Sequence, residues 1–218
     1  MRLLTWNLHT GHRGNAAAQA AAIAPFDLAL LQEVVDGPRH VGVLAPGWPH
    51  HAFARARGRL DGGAQGNLLL SRQPIATWTA HDLSNHPLER RVGLHAEIDG
   101  VHLVTVHLDL SGLGRRRQLA RLLELIPASG PLVLAGDCND WSLALDRLLQ
   151  RHGLIEAHRA VHGRVARTWP ARAPLLGLDR IYVRDVAVRD AGRLDAAGSS
   201  DHHGVWAELS PPGASARH

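Results

Sequence analysis

Residue types that bind cations and move protons crowd into one short stretch, PLVLAGDCNDW at 131–141. The apolar run from Leu132 to Ala135 meets a glycine, and Asp137, Asn139 and Asp140 follow within four positions. Two carboxylates and an amide at the end of a buried strand repel one another and lose hydration unless something compensates. Similar residues flank other apolar runs: Asn7 after LLTW, Gln32 and Glu33 after LALL, and His107 and Asp109 within VTVHLDL. Asp179 precedes RIYV, and Asp201 with His202 precedes GVWAEL. Carboxylate and amide oxygens are hard ligands suited to magnesium or manganese. A divalent cation would neutralise the repulsion among Glu33, Asp137 and Asp201. Taken singly, each piece also has an ordinary reading: GDxN as a turn, QE as a strand-terminal acid, Asp-His as a cap or loop.

The elements that must position these residues are mostly strands. Apolar runs of strand length lie at 3–6, 28–32, 67–71, 101–108, 132–135, 181–183 and 204–209, most of them bounded by glycine, proline or polar turns. Three helices are expected between them. Asn15 caps an alanine-rich stretch to Ile23 with Pro25 beyond it, and 142–150 repeats an amphipathic pattern briefly. The segment 115–126 places Leu119, Leu122, Leu123 and Ile126 on one face. The runs 28–31 and 132–135 are apolar on both faces, as strands covered on both sides are. Many strands with few helices suggest two packed sheets flanked by helices. With no linker, repeat or low-complexity tract, residues 1–210 read as a single domain and 211–218 as a frayed tail.

Composition narrows the class. Hydrophobic residues make up 45% and charged residues 20% of the 218, the balance of a soluble globular chain. No apolar run reaches the roughly 18 residues of a membrane span, and MRLLTWNLHTG lacks the features of a signal peptide. The one cysteine, Cys138, excludes an internal disulfide, so a cytoplasmic location is expected; separately, the chain is expected to be a monomer. All 24 basic side chains are arginine, so the pI near 10.7 owes much to arginine's own pKa. A net charge of +4 is only a weak pointer to anionic partners.

In order along the chain, TWNLH, LLQEV, GNLLLSRQPI, VTVHLDL, LAGDCND, GLDRIYV and SSDHHGVWAEL resemble the motifs of the endonuclease/exonuclease/phosphatase superfamily. The resemblance runs from about residue 3 to residue 209. It implies an α/β four-layer sandwich, two packed mixed β-sheets flanked by helices, and metal-dependent hydrolysis of phosphate esters. By the same resemblance, Glu33 matches the principal metal ligand, with Asn7 and Asp201 near the metal. Asp137 and Asn139 match the pair that positions or activates water and contacts phosphate. His202 matches a histidine that contacts phosphate or moves a proton, and Asp179 the aspartate that orients it. His107 resembles the histidine of the deoxyribonuclease-like branch. These roles suit the chemistry, which needs an in-line water, neutralised phosphoryl oxygens and a proton for the leaving alkoxide. Whether His202 or Asp137 is the base stays open at this level.

Around that set, Asn67, Arg91 and Trp169 are candidate substrate contacts, Asn67 alternatively fastening a strand start. The runs Arg55/Arg57/Arg59, Arg90/Arg91 and Arg115 to Arg117 are either anion sites or solvated faces. Cys138 is expected in the core, His203 in an exposed loop, and Trp6 and Trp206 in the core. The reading is a Mg2+-dependent phosphodiesterase, with Mn2+ as a substitute, acting as a nuclease on nucleic acid. The alternative is a phosphodiesterase or phosphatase of lipid or inositol phosphates, without stable membrane insertion. A non-catalytic binding module is the third class, and it would have no need to retain the full charge set.

Overall fold

The computed structural model describes residues 1–9, 15–60, 63–195 and 198–210; the expected tail at 211–218 lies outside them. The first half of the chain runs β1 (Arg2–Asn7), α1 (Ala16–Ile23), β2 (Leu28–Val35), α2 (Val41–Leu44), β3 (His50–Gly58), β4 (Ala64–Ser71), β5 (Thr77–Asp82), β6 (Val92–Ile98) and β7 (Val101–His107). The second half runs α3 (Gly112–Leu125), β8 (Leu132–Asp137), α4 (Ala144–Gln150), β9 (Ile155–Glu156), α5 (Ala157–His162), β10 (Asp179–Arg184), β11 (Ala187–Leu194) and β12 (Gly204–Ser210). They form two six-stranded sheets, one ordered β11-β12-β1-β2-β4-β3 and the other β5-β6-β7-β8-β10-β9. Both are mixed: β1 with β2 and β7 with β8 are parallel, and the other pairs are antiparallel.

Three apolar clusters define four layers. Alternate residues of the strands, such as Leu28, Leu30, Leu103 and Val133, fill the space between the sheets. The opposite faces bury Ala29 and Leu31 with Ile23 and Leu44 of α1 and α2, and Val104 and Leu134 with Leu119 and Leu122 of α3. That is why β2 and β8 are apolar on both faces. Ser111 caps α3 by accepting from Gly114 N at 3.1 Å, so the helix starts three residues before the expected 115.

Several elements lack a continuous apolar signal. The strands β3, β5 and β11 lie at or near sheet edges, and β5 buries none of its residues fully, so an apolar run is not required of them. The alternation of Arg55 and Arg57 belongs to the edge strand β3, as an exposed edge would have it, and Arg59 follows just beyond its end. Short α2 and α5 also escaped the periodicity argument, which needs longer helices.

Candidate active site

The topology brings the polar residues to one end of the sandwich. Asn7 and Gln32 are paired at the ends of the parallel strands β1 and β2, and His107 is paired with Asp137 at the ends of β7 and β8. Antiparallel β10 begins at that same end, with Asp179 opposite Asp137. Antiparallel β12 likewise places Asp201 and His202 just before its first residue, and β4 enters there with Gln65 and Asn67. Most of these residues, though not Gln32 or Asp179, line a cavity of about 430 Å³ whose wall includes Asn7, Glu33, Arg91, His107, Asp137 and His202.

Two backbone irregularities make this possible. On a regular strand Glu33 would share the outer face with Ala29 and Leu31. A bulge in the β2–β4 pairing between Leu31 and Val34, with φ of +55° at Glu33, takes its side chain out of that series and into the site. At Gly136, φ is +147° and a Cβ would collide with the carbonyl oxygen of Val106, so only glycine lets β8 approach β7 here.

Asp137 is the hub. Its Oδ2 accepts from Asn7 Nδ2 at 2.9 Å and lies 3.5 Å from His107 Nε2 and 3.8 Å from His202 Nε2. Its Oδ1 accepts from Asn139 N at 3.0 Å. The same Asn7 Nδ2 donates to Glu33 Oε1 at 3.3 Å, so two carboxylates share one neutral amide donor. Gln65 donates from Nε2 to Glu33 Oε2 at 3.3 Å, and its Oε1 accepts from Arg57 Nε at 2.6 Å. Asn139 donates from Nδ2 to Leu108 O at 2.9 Å, which leaves Oδ1 for the cavity.

His202 Nδ1 bonds Asp179 Oδ2 at 2.8 Å, a separation that fixes the ring and turns Nε2 toward Asp137. The loop carrying His202 is tied down on both sides: Trp6 Nε1 donates to His202 O at 2.9 Å, and Ser200 Oγ to Asn7 O at 2.7 Å. Burial by itself lowers the His202 pKa, but Asp179, then Asp137 and Asp201, outweigh it and hold the imidazole at about 10. His107 goes the other way: burial first, then the Arg91 charge, lowers it to about 3, so it is neutral near pH 7. The Arg91 guanidinium lines the cavity, its pKa lowered by burial, and it makes no hydrogen bond or ion pair among the described residues. Trp169 also lines the cavity, with Leu176 and Leu178.

Three sequence expectations are corrected by these contacts. Asn67 donates from Nδ2 to Val92 O at 2.8 Å and Thr105 O at 3.4 Å, so both amide protons join the two sheets and none remains for a phosphate. His203 is buried beside Asp195 rather than exposed in a loop, because the backbone bond from His203 N to Thr168 O draws it inward. Arg115 is not on a solvated face: it is buried, donates to the carbonyls of Asp109 and Leu110, and lies 3.6 Å from Asp140. Asp140 itself caps the chain into α4, accepting from Ser142 N and Leu145 N, and is no part of the cavity wall. Cys138 is fully buried among apolar residues, as its position suggested, and burial pushes its thiol pKa up.

Sequence reasoning missed Gln65, His9 and Trp141. His9 stands inside TWNLH; its Nδ1 lies 2.9 Å from Asp201 Oδ1, holding that carboxylate at the rim. Trp141 adjoins the acidic stretch and is exposed on the cavity wall. Gln65 carried no sequence signal, since its link to Glu33 depends on the neighbouring bulge.

The donor set fits a hard divalent cation: Glu33 and Asp137 converge on one amide, Asp201 stands at the rim, and the only thiol faces the core. Asp137, Asp179 and His202 also present ligand atoms within 4.8 Å of one another. The 2.8 Å bond between the latter two makes them a better histidine–carboxylate pair than a cation cage.

A two-sheet sandwich with this convergence of acids, histidines and a half-buried arginine defines a class of phosphoric ester hydrolases. Residues 4–202 match the Endonuclease/Exonuclease/phosphatase family, and the chain belongs to it. It is 33% identical over 241 residues to Uncharacterized protein YbhP of Escherichia coli (strain K12), covering 95% of each chain. Among solved structures, it resembles an endonuclease/exonuclease/phosphatase from Beutenbergia cavernae DSM 12333 with a TM-score of 0.84 at 24% identity, covering 98% of this chain and 72% of that one. The fold is shared at 18% identity and a TM-score of 0.71 with D. rerio TDP2 complexed with single strand DNA product, over 96% of this chain and 98% of that one. It is shared at the same values with the mannosyl-6-phosphatase Bt3783 of Bacteroides thetaiotaomicron, over 96% and 99%. No helix among the described residues is long and apolar enough to cross a membrane.

Proposed function

We propose that this chain is a divalent-metal-dependent phosphodiesterase that cleaves nucleic acid, acting as a monomeric single domain in the cytoplasm. The observation that carries the reading is Arg91: a half-buried guanidinium with no ion pair among the described residues, lining the cavity where Asp137, His107 and His202 meet. Burial lowers the Arg91 pKa more than Asp137, Glu33, Asp109 and Glu89 raise it, so an anion in the cavity would favour its charge, and guanidinium matches a phosphate with paired N–H donors.

Glu33 and Asp201 would hold Mg2+ or Mn2+, which when bound supplies positive charge to the phosphoryl oxygens, while Asn7, whose Nδ2 donates to Glu33 and Asp137 and whose Oδ1 accepts from His9 N, orients the acids. Arg91 binds a non-bridging oxygen. His107, neutral, donates a hydrogen bond from Nε2 in the same region. Asp137 and Asn139 Oδ1 accept from the attacking water and orient it, with Asp137 taking its proton. His202, charged through Asp179, stabilises the phosphoryl charge and returns a proton to the leaving oxygen. Trp169 offers an aromatic wall for a base.

The fold shared with a DNA-bound TDP2 supports a nucleic acid substrate; the fold shared with a sugar phosphatase supports the alternative of a smaller phosphate ester. The test is a panel of DNA, RNA, abasic DNA, phospholipid and inositol phosphate with magnesium, manganese or chelator. Cleavage of a nucleic acid is expected, stopped by chelator and lowered at least about tenfold by Glu33→Gln. Full activity in chelator, or turnover confined to lipid or inositol phosphate, would overturn the reading.

A further inference from the structure

Two arginine-lined clefts lie beside the candidate active site, one sharing lining residues with it and the other linked to it through Trp141. The first, about 930 Å³, lies along the edge strand β3 and the 87–90 loop and shares Ala56, Arg57, Gln65 and Arg90 with the site cavity. Arg55, Arg57, Arg59 and Arg90 line it without any carboxylate among the described lining residues, and Leu60 and Leu88 are exposed at its rim. The second, about 440 Å³, lies between the start of α3 and α4 and is lined by Arg115, Arg116, Arg147 and Arg151. Its one acid, Asp140, is already committed to Ser142, Leu145 and Arg115. The clefts share no lining residue. Trp141 joins the second cleft to the site: its neighbours Asp140 and Ser142 line that cleft, while its own ring, 57% exposed, lines the site cavity with Arg115 5.1 Å from the ring centre.

An enzyme specific for a small phosphate monoester needs one cationic pocket. An enzyme that trims a strand from its end needs a cationic path on one side of the scissile phosphate. Here one cationic cleft shares lining residues with the site, and a second lies against Trp141, whose exposed ring lines the site cavity. Phosphates of a strand are held by cations, and bases stack on aromatic rings largely without regard to sequence.

Building on the nuclease reading above, we propose that a polynucleotide strand runs through the site, with phosphates on both sides of the scissile one seated in the two clefts, so that cleavage is internal. One water is added at each cut: its oxygen joins phosphorus, the bond to the leaving sugar oxygen breaks, and its proton ends on that oxygen.

The test uses the full chain with magnesium, on a covalently closed circular single strand and its linear counterpart, as both DNA and RNA. Bis(4-nitrophenyl) phosphate serves as a diester too small to reach either cleft. The circle should be opened within about threefold of the rate at which the linear strand is cut. The pair Arg55→Ala with Arg59→Ala, and the pair Arg147→Ala with Arg151→Ala, should each raise the Michaelis constant for the linear strand at least about fivefold. Each pair should also flatten its dependence on log salt by about 1.4, the value for two phosphate contacts on a single strand. The Michaelis constant for bis(4-nitrophenyl) phosphate should not move, and a matching thermal melt shows that the variants are folded. An intact circle beside a linear strand degraded from its end sinks internal cleavage and leaves the nuclease reading standing. So does a Michaelis constant indifferent to either pair. Hydrolysis of bis(4-nitrophenyl) phosphate with no nucleic acid cut overturns both.

Discussion

At the scale of single residues, the site is organised around one carboxylate oxygen. Asp137 Oδ2 has Asn7, His107 and His202 about it, yet only Asn7 is close enough for a strong hydrogen bond. The two imidazoles therefore stand ready to bond something placed between them and Asp137. They differ in charge because they differ in partners: His202 has Asp179 behind it, whereas His107 has burial and Arg91. If His202 and Asp179 act as a unit, His202→Ala should reduce turnover on the order of a hundredfold with the fold intact. Asp179→Asn should also slow it, and the double variant should be little worse than the worse single. Turnover losses that multiply strictly in this cycle would count against a coupled pair.

At the scale of elements, a buried histidine holds the bulged strand in place. His40, at the start of α2, accepts from Val35 N through Nδ1 at 3.1 Å, just beyond the bulge that presents Glu33. Its Nε2 then carries the proton and donates to Gln19 Oε1 of α1 at 3.1 Å. Burial lowers its pKa from 6.5 to about 4, so the folded protein resists the protonation that the unfolded chain accepts. The stabilising contribution is thus complete above about pH 6.5 and is lost as pH falls toward 4. The loss should be on the order of 3 kcal/mol across that window. Urea denaturation at several pH values should show this decline, and His40→Gln should flatten it. An unaltered slope in the variant would assign the acid sensitivity elsewhere.

At the scale of the whole molecule, the site exists only while two sheets stay in register with one another. Asn67 on β4 donates to carbonyls of β6 and β7 across the interface, and Gln32 Nε2 on β2 donates to Thr105 Oγ1 on β7 at 2.9 Å. These bonds lie among fully buried leucines and valines, where an unmade polar contact is expensive. Asn67→Ala should therefore lower stability by about 2 kcal/mol in urea denaturation. The Michaelis constant of the folded variant for a small diester should change less than about threefold. A large rise in that constant with unaltered stability would make Asn67 a substrate contact after all.

Much of this arrangement was legible in one dimension. The apolar runs marked the central strands because β1, β2, β7 and β8 must be covered on both faces, and burial on both faces leaves a continuous signal. The acids and histidines stood at the ends of those runs for the same reason: a strand end is where a charged residue first escapes the core. Edge strands left no comparable mark, since solvent takes one face and one flank of them. Contacts between residues far apart in the chain were hidden altogether. That Asn67 would use its amide protons on the other sheet, that Arg115 would turn inward, and that Gln65 would join Arg57 to Glu33 depended on which backbone atoms came within hydrogen-bond reach. The residue types and their order thus determined the class of chemistry. Only the packing of the two sheets decided which donors were already committed, and so left Arg91 lining the cavity with no hydrogen bond or ion pair from its guanidinium among the described residues.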